Sequence, residues 1–269
     1  MHGRVVCSDA IAAPEASFPF HGDLANLTKV LRAQKLQFTG NINNGGFVQR
    51  YVYHELVATL ASARHAAGHR HTHVCETGFN AGHSALLYLL SHPTVRYFGF
   101  EAEAAPTNFK RKRWASRAAL GILAARFPAR INVTFGNSHE TIVPFFGAKP
   151  GLRCDVLSID GDHTYAGVLA DLSQLEPHLR DGGVILADDC EEGNYVSPWG
   201  AAGRNFTQGA MYDAFADYVA SQPNSLRPVL RVSNRVKKCR NKAGVFTAVF
   251  CAATKGLVSE SISAVLRKF

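Results

Sequence analysis

Glu76-Thr77-Gly78-Phe79-Asn80-Ala81-Gly82-His83-Ser84 is a strand-to-helix turn built on two glycines. It follows a β-rich run, His73-Val74-Cys75-Glu76, and leads into Ser84-Ala85-Leu86-Leu87-Tyr88-Leu89-Leu90, which reads as helix. Glycine lets the backbone turn tightly and approach a ligand with no Cβ in the way. The helix start then presents unpaired N–H groups to that ligand. A dinucleotide-binding turn would read G-x-G-x-x-G, with its middle glycine against the pyrophosphate. Here Asn80 stands in that place and the spacing is Gly78-x-x-x-Gly82. Glu76 also departs from that pattern; a carboxylate there suits a ligand with a cationic amino-acid end.

The next run, Tyr97-Phe98-Gly99-Phe100-Glu101, places a second acid at a strand end, nineteen residues after Gly82. A carboxylate so placed can accept hydrogen bonds from both ribose hydroxyls of a nucleoside. Short β runs and helical stretches alternate from residue 72 onward, which predicts a doubly wound α/β sheet. The runs are Ile131–Phe135, Asp155-Val156-Leu157-Ser158-Ile159-Asp160 and Val184-Ile185-Leu186-Ala187, with helices over Pro106–Phe127, Val168–Leu179 and Met211–Ala220. Asp181-Gly182-Gly183 is read as the turn that stops the second of these helices. Val229–Val236 and Gly244–Ala252 are expected to close the chain as an antiparallel hairpin, giving a Rossmann-like, seven-stranded sheet. Leu24–Leu36 and Val48–Ala67 read as helices that form a lid over the ligand face. The expected divisions are residues 1–68 as this extension, 69–255 as the main domain and 256–269 as a tail.

Bulk composition narrows the classes. Hydrophobic residues make up 46% of the 269 and charged residues 19%, enough apolar material for a full core. No run approaches the ~20 apolar residues of a membrane helix, and the first residues carry charge where a signal peptide would be apolar. The six cysteines include no C-x-x-C pair. Cys75, Cys154 and Cys251 fall in apolar runs and read as buried free thiols of a cytoplasmic protein. Three glycosylation sequons, at Asn26, Asn132 and Asn205, carry little weight on that reading. The net charge is +8, concentrated at Lys110–Arg113 and Arg235–Lys242. Neither cluster is interleaved with aromatics, so both read as solvated faces in preference to a nucleic-acid surface.

Taken together, Glu76–Ser84, Glu101, Gly136-Asn137-Ser138-His139-Glu140-Thr141, Ile159-Asp160-Gly161-Asp162-His163-Thr164-Tyr165 and Gly182–Asp189 resemble successive motifs of the class I S-adenosylmethionine-dependent methyltransferases. More narrowly, the Ile-Asp-Gly-Asp-His-x-Tyr and Gly-Gly-Val-Ile-x-x-Asp-Asp runs are similar to a small-molecule family related to the catechol, caffeoyl-CoA and macrocin-type O-methyltransferases. The likeness spans roughly residues 70–215.

The resemblance implies S-adenosylmethionine as cofactor. Glu76 and Gly78 would contact its methionine part, Glu101 its ribose, and Asn137 and Ser138 its adenine, with Asn80, Gly82, Ser84 and Asp160 completing the expected cofactor-binding set. It further implies a divalent cation, Mg²⁺ or similar, on Asp160, Asp188 and Asp189. Three converging carboxylates repel each other unless a cation sits among them, and an all-oxygen set suits a hard ion. Such a metal would lower the pKa of an acceptor hydroxyl. His163 takes the place of the general-base lysine of the catechol-type enzymes, and Asp189 that of an asparagine, so His163 and Asp160 are the expected catalytic residues. The expected partner is a small-molecule hydroxyl acceptor, with no membrane; a homodimer is compatible with the sequence. Trp199, Arg204, Phe206 and Tyr212 would border the acceptor pocket. The competing readings are an RNA methyltransferase and a catalytically silent cofactor-binding domain. Against the first stands Asp160-Gly161-Asp162-His163 where base-methylating enzymes carry Asn/Asp-Pro-Pro-Tyr/Phe; against the second stand the retained acids.

Overall fold

The computed structural model describes residues 4–6, 19–36, 38, 47–102, 115–190, 209–232 and 250–256. Eight strands and seven helices follow in the order β1 (Arg4–Val6), α1 (His21–Ala33), α2 (Phe47–Ala66), β2 (Thr72–Thr77), α3 (His83–Ser91), β3 (Val95–Glu101), α4 (Ser116–Arg126), β4 (Ile131–Phe135), α5 (Ser138–Gly147), β5 (Cys154–Ile159), α6 (Tyr165–Leu175), β6 (Leu179–Asp188), α7 (Gly209–Ser221), β7 (Leu226–Val232) and β8 (Phe250–Lys255).

The strands form one sheet in the order β1-β7-β8-β6-β5-β2-β3-β4. β2 to β6 run parallel, and β8 runs antiparallel between β6 and β7. The seven expected strands are therefore present with their C-terminal antiparallel pair. An eighth, β1, lies parallel to β7, so the pair does not end the sheet. β2 to β6 bring their carboxyl ends to one edge, and the order reverses between β2 and β5. That reversal is the topological switch point at which ligands of doubly wound sheets bind.

Two hydrophobic layers cover the sheet. One joins Val74, Val156, Val184 and Leu186 of the strands to α3 and α4, and the other joins Phe100, Leu157, Ile159 and Ile185 to α5, α6 and α7. Leu24, Leu27 and Leu31 of α1 and Val52, Tyr53, Leu56 and Val57 of α2 belong to the first layer. The two helices expected as a lid are thus part of the core. Thr28 Oγ1 lies 2.9 Å from His83 Nε2, joining α1 to the first turn of α3. Burial, with the charge of Arg32 behind it, lowers the pKa of His83 to about 4, so this contact is made by a neutral ring.

Three boundaries move for identifiable reasons. Pro177 follows α6, which ends at Leu175, so Leu179 opens β6 in place of extending the helix. Asp181-Gly182-Gly183 lies inside β6, where a Cβ on Gly183 would come 2.5 Å from the Leu179 side chain. Of the helix expected over Pro106–Phe127, α4 is the part within the described residues; both basic clusters lie outside them.

The free-thiol expectation is overturned for Cys75 and Cys154. Cys75 on β2 and Cys154 on β5 are joined by a disulfide, with Cα atoms 5.9 Å apart, inside the usual range for such bonds. Cys190 is also disulfide-bonded, and no cysteine among the described residues is free. Apolar strand runs signalled the burial of Cys75 and Cys154 correctly, but burial does not separate a thiol from a half-cystine. The cytoplasmic expectation loses the support it drew from free thiols. No helix among the described residues is long and apolar enough to cross a membrane.

Candidate active site

The two glycine-linked strand ends are locked together. Gly78 adopts φ +89°, and a Cβ at this position would stand 1.9 Å from the carbonyl oxygen of Asp160. Its N–H donates to the Phe100 carbonyl at 2.9 Å, and the Asp160 N–H donates to the Thr77 carbonyl at 3.1 Å. β2 thereby fixes the ends of β3 and β5 on either side of it. Asn80 also has a positive φ, +48°, and its N–H donates to Glu101 Oε2 at 2.6 Å. Gly82, in the left-handed region, caps α3. The loop, the helix start and Glu101 therefore form one continuous rim.

Glu76 sits beneath that rim, 1% exposed. Ser84 Oγ donates to its Oε2 at 2.7 Å and Ser158 Oγ to its Oε1 at 2.9 Å, and the Tyr97 hydroxyl donates to Oε2 as well. Tyr88 extends the chain by donating to Ser158 Oγ at 3.1 Å. Burial raises the Glu76 pKa to about 8 against the pull of these hydroxyls, with Asp160 adding to the rise.

At the end of β5, His163 Nε2 lies 3.1 Å from Asp160 Oδ1, and His163 Nδ1 lies 3.6 Å from Asp189 Oδ2. Burial disfavours the charged ring, but the hydrogen bond and charge of Asp160, with the charges of Asp189 and Asp188, outweigh it and raise the His163 pKa. Burial raises Asp160 too, opposed by His163. Asp189 has φ +48°, and its N–H donates to Asp188 Oδ1 at 2.9 Å.

The structure thus brings Asp160, His163 and Asp189 together, with Asp188 beside them. It does not close the three carboxylates around a common point: the imidazole stands between Asp160 and Asp189. Among the described residues no group of three or more His, Cys, Asp or Glu side chains is arranged to hold a metal. In this arrangement the positive charge that the carboxylates require is the imidazolium, and the expected Mg²⁺ set does not fit without moving it.

Asn137 and Ser138 lie at the start of α5. The Asn137 side chain accepts from the His139 N–H at 3.1 Å and caps the helix. Ser138 Oγ donates to Asp171 Oδ1 at 2.8 Å. Tyr212 lies on α7, while Trp199, Arg204 and Phe206 lie outside the described residues. A shallow cleft at the opposite end of the parallel strands is lined by Arg64, Arg153, Arg180 and Lys255. Arg64 and Arg180 there face Asp155 at 3.0 and 3.2 Å, which makes it a structural ion-pair cluster.

Residues 75–190 match a sequence-family model described as a methyltransferase domain. This is a methyltransferase fold. Among solved structures, an O-methyltransferase from Bacillus cereus in complex with SAH has a TM-score of 0.60 at 16% identity, over 90% of this chain and 94% of that one. TomG from Streptomyces achromogenes, an O-methyltransferase of tomaymycin synthesis in complex with SAM, gives a TM-score of 0.56 at 14% identity, over 87% of this chain and 89% of that one. No curated protein matches the sequence.

Within the matched stretch, sequence reasoning passed over one acid that organises the site. Asp171 is fully buried on α6; besides Ser138, it lies 3.6 Å from His139 Nε2 and directly under Gly161, where a Cβ would meet its Oδ2 at 2.8 Å. It joins the start of α5 to the turn after β5. Its signal was present: Asp171 falls three residues after Val168, on the apolar stripe of α6, where an acid needs a partner.

Proposed function

We propose that this chain transfers the methyl group of S-adenosylmethionine to a hydroxyl of a small-molecule acceptor. The observation that carries the reading is the meeting of the Gly78–Gly82 loop, Glu101 and the Asp160–His163 pair at the carboxyl ends of β2, β3 and β5. In this reading the α3 N-terminus and its loop receive the methionine end of the cofactor above Glu76. Glu101 accepts the ribose hydroxyls, and Asn137 and Ser138 flank the adenine.

When bound, S-adenosylmethionine would supply an electrophilic methyl group to the acceptor oxygen and would itself be left as the thioether. The hydroxyl proton passes to the His163 ring. Asp160 holds Nε2–H, which leaves Nδ1 as the atom that gains the proton. Since the carboxylates raise the His163 pKa, the neutral, basic form is reached only toward alkaline pH.

Calorimetric titration with S-adenosylmethionine and S-adenosylhomocysteine, against a Glu101→Ala control, tests the reading. Binding that disappears in the control supports it. Absence of binding to both nucleosides overturns it.

A divalent cation is the second reading, favoured by Asp160 and Asp189 facing the same space from opposite sides, with the charge of Asp188 also acting on the ring that fills it. It requires His163 to leave the space between Asp160 and Asp189. Turnover abolished by EDTA and restored by Mg²⁺ selects the cation; turnover unchanged by EDTA selects the imidazolium.

A further inference from the structure

Cysteine pairs and sequons are features that methyl transfer leaves unused. Cys75 and Cys154 are both fully buried and joined, Cys190 is joined as well, and no described cysteine is free. Disulfides of this kind form and persist in oxidising compartments, whereas the glutathione and thioredoxin of a mesophile's cytosol keep such thiols reduced. The same compartments of eukaryotic secretion are where Asn-x-Ser/Thr is glycosylated.

The sequon Asn132-Val133-Thr134 lies in β4, which among the described residues is the last strand of the sheet and pairs with β3 alone. The Asn132 side chain is exposed. It stands near the start of β4, while the candidate active site lies past the carboxyl end, so a large substituent here leaves that site open. The other described sequon is less suited. Asn26 is exposed, but the Thr28 hydroxyl of that sequon is buried, donating to the Leu24 carbonyl at 3.0 Å and meeting His83. Asn205 lies outside the described residues.

We propose that Asn132 carries an N-linked glycan, on a chain that matures where disulfides form. In the transfer, the Asn132 amide nitrogen displaces pyrophosphate from C1 of a lipid-pyrophosphate-linked oligosaccharide. The C1–N bond forms, the C1–O bond breaks, and the amide gives up one proton as the lipid pyrophosphate leaves. In the oxidation, the Cys75 and Cys154 thiols lose two protons and two electrons to the disulfide of a thiol–disulfide oxidoreductase, which is reduced to its dithiol. A glycan on β4 also shields an open strand edge from pairing with other chains.

The test uses protein isolated from the cells that make it, alkylated without reduction and cut with trypsin. Part of the digest is treated with peptide N-glycosidase in heavy-oxygen water. The expected result is that the peptide starting at Ile131 appears only after the glycosidase, with residue 132 converted to a heavy-oxygen aspartate. Cys75 and Cys154 should stay unalkylated and cross-linked until reduced. Recovery of that peptide with an unmodified Asn132 before glycosidase overturns the proposal, as does alkylation of Cys75 and Cys154 without reduction. Asn132→Gln should abolish the glycosidase-sensitive mobility shift of the intact chain; an unchanged shift also overturns the assignment to Asn132.

Discussion

His163 is held between two carboxylates, its Nε2 3.1 Å from Asp160 Oδ1 and its Nδ1 3.6 Å from Asp189 Oδ2. Both contacts favour the protonated ring, so a base built on His163 works best at alkaline pH. We expect kcat to rise with pH well past the ordinary histidine range of about 6.5. His163→Gln should lower kcat by about 10²–10⁴-fold and flatten that rise. A profile that levels off near neutrality in the native enzyme contradicts the arrangement.

The same raised pKa has a stability counterpart of defined sign. A group whose folded pKa exceeds its unfolded value contributes stability that is complete below the unfolded value. That stability is lost as pH rises through the folded one. The native protein should therefore exceed His163→Gln in Tm at pH 6, and the gap should narrow as pH climbs through the raised value of His163. Thermal melts of the two proteins across that range check the sign.

Glu76 offers a different linkage. Burial raises its pKa to about 8, so the carboxyl is largely protonated at neutral pH. The ammonium of an amino-acid ligand placed above it would favour the ionised form and release a proton on binding. Calorimetry at pH 7 in buffers of different ionisation enthalpy should show that release, and Glu76→Gln should remove it. The same substitution should gain Tm relative to the native protein as pH rises from about 4.5 toward 8, because it no longer has to bury a charge.

Gly78→Ala should be among the most damaging single substitutions. The positive φ alone costs about 1–3 kcal/mol for a residue with a side chain, and the new Cβ would stand 1.9 Å from the Asp160 carbonyl oxygen. We expect a Tm lowered by several degrees together with loss of cofactor binding, read by circular dichroism and calorimetry on the same sample. Gly121→Ala, where nothing lies within 4 Å of the added carbon, is the matched control.

The glycine turn and the acids at the strand ends were legible in the sequence because each answers a local demand. A turn at φ +89° requires the residue found at 78, and alternating β and helical runs place Glu101 and Asp160 at carboxyl ends. What escaped was set by distance along the chain. Tyr97 and Ser158 meet at Glu76 only once β2, β3 and β5 are in register. Cys75 and Cys154 are separated by 79 positions, and local patterns do not say that they face each other. The charge on His163 depends on acids from two strand ends and cannot be read from the His-x-Tyr run. The helices α1 and α2 were recognised, but nothing in their periodicity told a lid from a layer of core.

The position of β8 bears on how the chain is made. The strand finished at residue 255 lies inside the sheet, between β6 and β7, and not at its margin. Until that segment leaves the ribosome, β6 has no neighbour on one side and β7 cannot join the sheet at all. Folding during synthesis must therefore stall on a half-sheet with an open edge, a state that invites association with other chains. Chains truncated before Phe250 keep that edge open and should bind chaperones and associate with one another more than chains that include β8.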